Sequence, residues 1–151
     1  FDKIETPELY LGYGFARKDI GNVEGLQPGK TVAYSKPTAI EPDAVYLSGT
    51  WKSERDYIEL ESEIGSVFLR YTAKQSNIVA AGNSIVNVQG FNQSLNPTDS
   101  GQDTVLDGNA FRLNVNEERL FNILNATSYG DQSIELKVQG KGFRLYTFTF
   151  G

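Results

Sequence analysis

Apolar and polar residues alternate along much of this chain, with the period of two that puts every second side chain of a β-strand on a buried face. Residues 111–116 (FRLNVN) and 134–139 (IELKVQ) follow this pattern. No stretch keeps a 3.6-residue apolar period over three turns, and Glu117–Leu124 fits a strand better than a helix. The pattern predicts an all-β fold of many short strands, a sandwich or jelly roll. Further strands are predicted at residues 44–51, 67–73 and 86–88.

Two strands are predicted to form a hairpin near the C-terminus. Residues 134–139 are followed by Gly140-Lys141-Gly142, a tight turn in which glycine takes a positive φ at little steric cost. A last strand then runs from Phe143 to Phe150. Its alternation predicts two covered faces, and therefore a central strand. We expect Tyr146, Phe148 and Phe150 on one face, and Phe143 and Leu145 on the other.

The composition is sufficient for a single domain with a sizeable core. Hydrophobic residues make up 39% of the chain, with nine Phe and eight Tyr. Because no internal repeat or break in composition divides the chain, residues 1–151 are predicted to form one domain of two antiparallel sheets. Its buried residues are expected to include Trp51, Tyr71, Phe111, Phe121, Ile134, Leu136, Val138 and Phe148.

The absence of two residue types limits the chemistry that is available. The chain contains no cysteine and no histidine. Thiol redox reactions, Cys- or His-based nucleophilic triads and ordinary zinc sites all require one of these side chains. The sequence therefore predicts a protein that is not an enzyme, with no cofactor and no metal.

Two alternatives rest on acidic residues. Residues 58–64 are predicted to form a strand with an outer face of Glu59, Glu61 and Glu63, and carboxylates two apart on a strand lie about 7 Å from each other. Inverting glycosidases use such a separation, so a glycosidase remains a distant alternative. A run of Asp99, Asp103, Asp107 and Asn109 offers oxygen ligands for calcium, although it misses the EF-hand spacing and fits a polar turn better.

The charge pattern argues against two kinds of partner. The chain has 14 Lys and Arg against 19 Asp and Glu, which gives a net charge of −5, and the two signs are interspersed. No basic stripe is present to bind nucleic acid or an anionic membrane surface. Since no apolar run approaches the roughly 18 residues that a spanning helix needs, no direct membrane insertion by this segment is expected.

The longest irregular stretch, Gly90 to Asn109, is rich in Asn, Asp, Ser and Gly. Loops of this length are commonly functional, and loops carry recognition on rigid β scaffolds. Because Phe91 continues the alternation of Val86 and Val88 on the opposite face, it is predicted to be an exposed platform for stacking on a sugar. A mobile insertion without a ligand is the alternative. The candidate ligand-binding residues are Phe91, Asn92, Gln93, Asp103, Asp107 and Asn109.

Seven short motifs follow one another along nearly the whole chain: residues 6–13 (TPELYLGY), 47–51 (LSGTW), 57–60 (YIEL), 68–73 (FLRYTA), 105–109 (VLDGN), 119–121 (RLF) and 146–151 (YTFTFG). Together they resemble the C-terminal domain of thioredoxin-like proteins of the DipZ type. The stretch 91–101 departs from this pattern, because it is longer than the family's usual connection.

The resemblance implies a jelly-roll β-sandwich similar to galactose-binding-like carbohydrate-binding modules. It further implies that a thioredoxin-like domain, which carries the redox cysteines, precedes this segment in a longer extracytoplasmic protein, tethered in some cases to the membrane through other parts. Two functions stay open. The module either binds a glycan, or it is a protein-interaction or structural module that positions the redox domain.

Overall fold

The computed structural model describes residues 5–151, and these form an all-β protein, as the alternation predicts. One short 3₁₀ turn, Pro97–Asp99, interrupts the strands. None of the helical structure in residues 5–151 has the length and apolarity to cross a membrane. The strands are β1 (Leu9–Tyr10), β2 (Thr31–Tyr34), β3 (Val45–Ser53), β4 (Ile58–Leu60), β5 (Ile64–Ala81), β6 (Ser84–Gly90), β7 (Val105–Asp107), β8 (Ala110–Val115), β9 (Arg119–Gln139) and β10 (Arg144–Phe150).

The ten strands form one continuous hydrogen-bonded sheet, where the sequence predicts two. Their order is β1-β10-β4-β3-β5-β9-β6-β8-β7, with β2 added on β3. The long strands β5 and β9 pair with each other over most of their length, and their two halves have different outer neighbours. The first half of β5 pairs with β3, and the second half pairs with β10. Because β10 also pairs with β4, strands β3, β4, β10 and β5 close into a ring.

The main core draws on strands throughout the sheet, and all eight residues expected there belong to it, each at most 1% exposed. Trp51, the one tryptophan of the chain, is held in this core by a ring contact and a hydrogen bond. Its ring packs edge-on against Phe143 with centroids 6.2 Å apart, and its Nε1–H donates to the carbonyl of Ser48 at 2.9 Å. A buried Trp with a satisfied N–H is a packing residue rather than a sugar-stacking platform.

The predicted C-terminal hairpin is wrong. The strand β9 pairs with β5 and β6, whereas β10 pairs with β1, β4 and β5. Gly140 and Gly142 have φ of +133° and +95°, so glycine is required there, but the connection crosses between distant parts of the sheet. The expected faces of β10 are also wrong. A register shift between Leu145 and Thr147 puts both Leu145 and Phe148 in the main core, because a bulge interrupts strict alternation.

The acidic strand predicted through residues 58–64 is divided in two. Strand β4 ends at Leu60 and β5 begins at Ile64. Between them, the Ser62 hydroxyl accepts a hydrogen bond from the Thr50 N–H at 3.1 Å and donates one to the Ile64 carbonyl at 2.8 Å. These local bonds hold a turn, so Glu59 and Glu63 do not share one strand face.

Candidate functional site

The turn that follows β6 determines the shape of the predicted binding loop. At the end of β6, Gly90 is paired with Ile134, and the N–H of Phe91 donates to the carbonyl of Ser133 at 2.9 Å. The chain then reverses through Asn92, whose φ of +59° is uncommon for a residue with a side chain. A Cβ on Gly90 would overlap the carbonyl oxygen of Gln93. Residues 91–95 therefore fold tightly back on Gly90, and we call them the ridge.

Phe91, at the base of the ridge, is buried, so the prediction of an exposed stacking platform is wrong. Its side chain turns away from the main core, as alternation predicts, but the opposite face of the sheet is also covered. Phe91 is only 8% exposed and packs edge-to-face on Phe68, with ring centroids 5.1 Å apart. The segment before β3 supplies Ile40, and β3 supplies Tyr46, to complete this second hydrophobic cluster.

On one side of the ridge lies a groove of about 350 Å³ with no charged residue in its lining. We call it the amide groove, because its polar groups are mainly side-chain amides. The turn between β7 and β8 contributes Asn109, and the ridge contributes Gln93 and Ser94. The residues that line the groove are Gln89, Gly90, Gln93, Ser94, Leu95, Pro97, Leu106, Gly108, Asn109 and Phe111.

On the other side of the ridge lies a second groove of about 350 Å³, and Arg70 is one of its lining residues. We call it the arginine groove. Ile40 and Phe91 supply its apolar part, and its other lining residues are Ala39, Asn92, Gln93, Asp131, Gln132 and Ser133. Asp131 is held by a neighbouring strand, because its Oδ1 accepts a hydrogen bond from the Thr72 hydroxyl at 2.6 Å. Gln93 lines both grooves.

Two of the six predicted site residues lie in neither groove. Asp103 accepts hydrogen bonds from Arg119 Nη2 at 3.0 Å and from the Asn122 N–H at 2.7 Å. Burial raises the pKa of the Asp103 carboxyl, but the bonds from Arg119 and Asn122 outweigh burial and hold that pKa below its ordinary value. Asp107 forms an exposed ion pair with Arg112 at 2.9 Å. Both carboxylates therefore make intramolecular contacts, and Asp103, which also accepts a backbone N–H, anchors the loop.

The alternative of a calcium site finds no cluster of ligands. Within residues 5–151, no three or more Asp or Glu side chains gather closely enough to hold a metal ion. Asp99 is buried at 7% exposure on the 3₁₀ turn, whereas Asp103 and Asp107 have the separate arginine partners described above. The four candidate calcium ligands are close in sequence, but their side chains therefore lie in different surroundings.

The acidic residues of the glycosidase alternative lie at the junction of β4 and β5. Glu59 Oε1 accepts a hydrogen bond from Arg144 Nε at 2.9 Å, and the Arg144 guanidinium stacks over the Tyr57 ring at 4.5 Å. Burial raises the pKa of the Glu61 carboxyl, and so do the hydrogen bond and the negative charge of Glu59. Neither Glu59 nor Glu61 lines the amide groove or the arginine groove.

The structure thus brings four of the six predicted residues to the ridge and its grooves, and it adds one that sequence reasoning missed. Phe91, Asn92 and Gln93 line the arginine groove, while Gln93 and Asn109 line the amide groove. Arg70 was missed because it is far from the loop in sequence. The available signal was its position between Leu69 and Tyr71, where alternation predicts a side chain outside the main core.

Comparison with known proteins supports the family resemblance. The model of the thioredoxin-like C-terminal domain matches residues 6–151. No curated protein matches the sequence. The family model spans every strand described above, including the ridge and the strands that bear both grooves. The chain therefore belongs to the thioredoxin-like C-terminal domain family.

Proposed function

We propose that this chain is a non-catalytic accessory module that binds carbohydrate for an extracytoplasmic thioredoxin-like protein of the DipZ type. Membership of the thioredoxin-like C-terminal domain family supports the accessory role and the association with a thioredoxin-like domain. The all-β fold is of the kind expected for a jelly-roll, galactose-binding-like module. Because a fold does not specify a ligand, the argument for sugar rests on the grooves.

The observation that carries the proposal is the chemistry of the amide groove. Gln93 and Asn109 each carry an amide that can both donate and accept hydrogen bonds, and Ser94 adds a hydroxyl. Sugar hydroxyls also donate and accept. The exposed side chain of Leu106 offers an apolar contact for the C–H groups of a sugar ring. A groove without charge suits a neutral hydroxylated ligand better than a phosphate, which favours basic side chains.

A second candidate is a protein-interaction module that positions the redox domain, and one observation favours it. The aromatic rings that line the two grooves, Phe91 and Phe111, are at most 8% exposed. Two exposed rings lie instead on the turn after β1, where Tyr13 is 43% and Phe15 is 50% exposed, and a third, Tyr129 on β9, is 53% exposed. Arg55 covers one side of the Phe15 ring at 5.1 Å. An aromatic surface with an adjacent arginine is typical of protein interfaces. The glycosidase remains a distant alternative.

A glycan array followed by calorimetric titration of the 151-residue chain tests the first candidate. We expect Gln93→Ala and Asn109→Ala each to weaken binding about three- to tenfold, the effect of losing one net hydrogen bond. Asn116→Ala is the matched control, because Asn116 is exposed and lies outside both grooves. If no glycan binds the wild-type chain, or if all three variants bind equally well, the amide groove is not a sugar site.

A further inference from the structure

Arg70 differs from most arginines of this protein in having no ionic partner among residues 5–151. The chain has six arginines, and Arg55, Arg112, Arg119 and Arg144 each lie within 4.0 Å of a carboxylate oxygen. No such contact involves Arg70 in the part of the chain that the structure describes. A guanidinium has five N–H donors in a planar fork, and it suits carboxylate binding in a bidentate manner. Arg70 therefore has its binding capacity available to a ligand.

The fold fixes where this guanidinium is presented. On β5, Leu69 and Tyr71 point into the main core and are at most 1% exposed, so Arg70 extends from the opposite face. Its Cα is paired with that of Ser133 on β9, and Ser133 also accepts the N–H of Phe91. Strand pairing thus places Arg70 beside the ridge, and the arginine groove is built on paired backbone rather than on a free loop.

The rest of the arginine groove favours a single negative charge on an otherwise polar ligand. Asn92 and Gln93 of the ridge offer amides, and Ile40 and Phe91 provide an apolar contact. The carboxylate of Asp131 lies in the same groove and offsets the charge of Arg70. The chain as a whole carries a net charge of −5. These negative charges oppose a dianionic phosphate more strongly than a monoanionic carboxylate.

We propose that the arginine groove is a subsite for the carboxylate of an acidic sugar residue, which Arg70 binds in a bidentate manner. This inference rests on the proposed carbohydrate function and specifies its ligand. Because Gln93 lines both grooves, one oligosaccharide crossing the ridge contacts both. The ligand class is then a glycan in which a uronic acid adjoins a neutral residue. The neutral residue occupies the amide groove, and the uronate occupies the arginine groove.

The test is calorimetric titration of the 151-residue chain with an alternating uronate–neutral tetrasaccharide and with its carboxyl-reduced counterpart. We expect the reduced glycan to bind about tenfold more weakly to the wild-type chain, the effect of losing one charge-assisted hydrogen-bonded pair. In Arg70→Gln this preference for the uronate glycan over the carboxyl-reduced glycan should disappear. Arg70→Lys should keep only part of it, because an ammonium cannot bind both carboxylate oxygens in a fork. Arg17→Gln, on an exposed residue outside both grooves, should retain the full preference.

The outcomes separate this inference from the function on which it rests. Equal binding of both glycans to the wild-type chain would overturn the acidic subsite and leave sugar binding intact. A failure of both glycans to bind would overturn the acidic subsite, and the glycan array then decides separately whether the carbohydrate function also fails. If Arg70→Gln weakens both glycans equally, Arg70 is structural and the subsite assignment is wrong. A phosphorylated neutral tetrasaccharide that binds as tightly as the uronate would contradict the carboxylate assignment. Because each variant is judged by its own preference between two ligands, a modest loss of stability does not obscure the result.

Discussion

The two grooves beside the ridge have the same volume and share Gln93, yet they differ in chemistry and in support. The amide groove lies toward β7 and β8 and has no charged lining. The arginine groove lies toward β9 and β5 and contains Arg70 and Asp131. Strand β6 separates them, because it pairs with β8 on one side and with β9 on the other. The ridge therefore borders two chemically different grooves, because the strands on its two sides come from distant parts of the chain.

The grooves also differ in how firmly they are built. The arginine groove is floored by Phe91, which is 8% exposed and belongs to the second hydrophobic cluster. The amide groove is bounded by β7, whose three residues are all exposed and whose one strand partner within residues 5–151 is β8. Few buried contacts mean low local stability. We therefore expect the arginine groove to be preformed and the wall of the amide groove to open more readily.

Truncation of one apolar residue in each groove should show the largest difference in stability. Phe91→Ala removes a buried ring from the contact with Phe68, and we expect the free energy of unfolding to fall by about 3 kcal/mol. Leu106→Ala, at a residue that is 46% exposed, should cost less than about 0.5 kcal/mol. Urea unfolding followed by Trp51 fluorescence measures both values. Similar costs for the two variants would show that the grooves do not differ in support.

Addition of a methyl group under the ridge should disturb both grooves together. In Gly90→Ala the new Cβ overlaps the Gln93 carbonyl, so the turn must shift. We expect a loss of about 1–3 kcal/mol in the free energy of unfolding. The control is Gly130→Ala, where a Cβ meets no atom within 4 Å, and its effect should be close to zero. Unchanged stability in Gly90→Ala, measured by urea unfolding, would mean that the ridge is not held tightly.

The smallest expected effect on stability concerns Asp103, which lies just before β7. Asp103→Asn weakens the bonds to Arg119 and Asn122 and should cost about 1 kcal/mol at pH 7. The folded pKa of Asp103 lies below its ordinary value of 3.8. The stabilisation by the carboxylate is therefore complete above pH 3.8 and is lost as the pH falls through the folded pKa.

The difference between wild type and Asp103→Asn in urea unfolding should therefore shrink as the solution is acidified below pH 3.8. Asp107→Asn is the control, because its ion pair with Arg112 is largely exposed and contributes little. A difference between wild type and Asp103→Asn that stays constant down to pH 2 would contradict the ionic anchor.

The sequence by itself determined the fold class and the main core. Strict alternation in segments such as 134–139 implies a strand with one buried face, whatever its partner, because the period of two is a property of the extended backbone. All eight expected core residues are buried for this reason. Likewise, the seven motifs between residues 6 and 151 together indicated the thioredoxin-like C-terminal domain family, whose model matches residues 6–151.

Only the tertiary structure decided which strands pair and what covers their second face. The sequence around Gly140 is consistent with a hairpin, but β10 pairs with β5, a strand distant in sequence. Alternation placed Phe91 opposite Val86 and Val88, but it could not show that Phe68, Ile40 and Tyr46 cover that side. Arg70 meets the ridge through the pairing of β5 with β9. Local patterns specify the direction of a side chain, whereas its neighbours depend on contacts between distant parts of the chain.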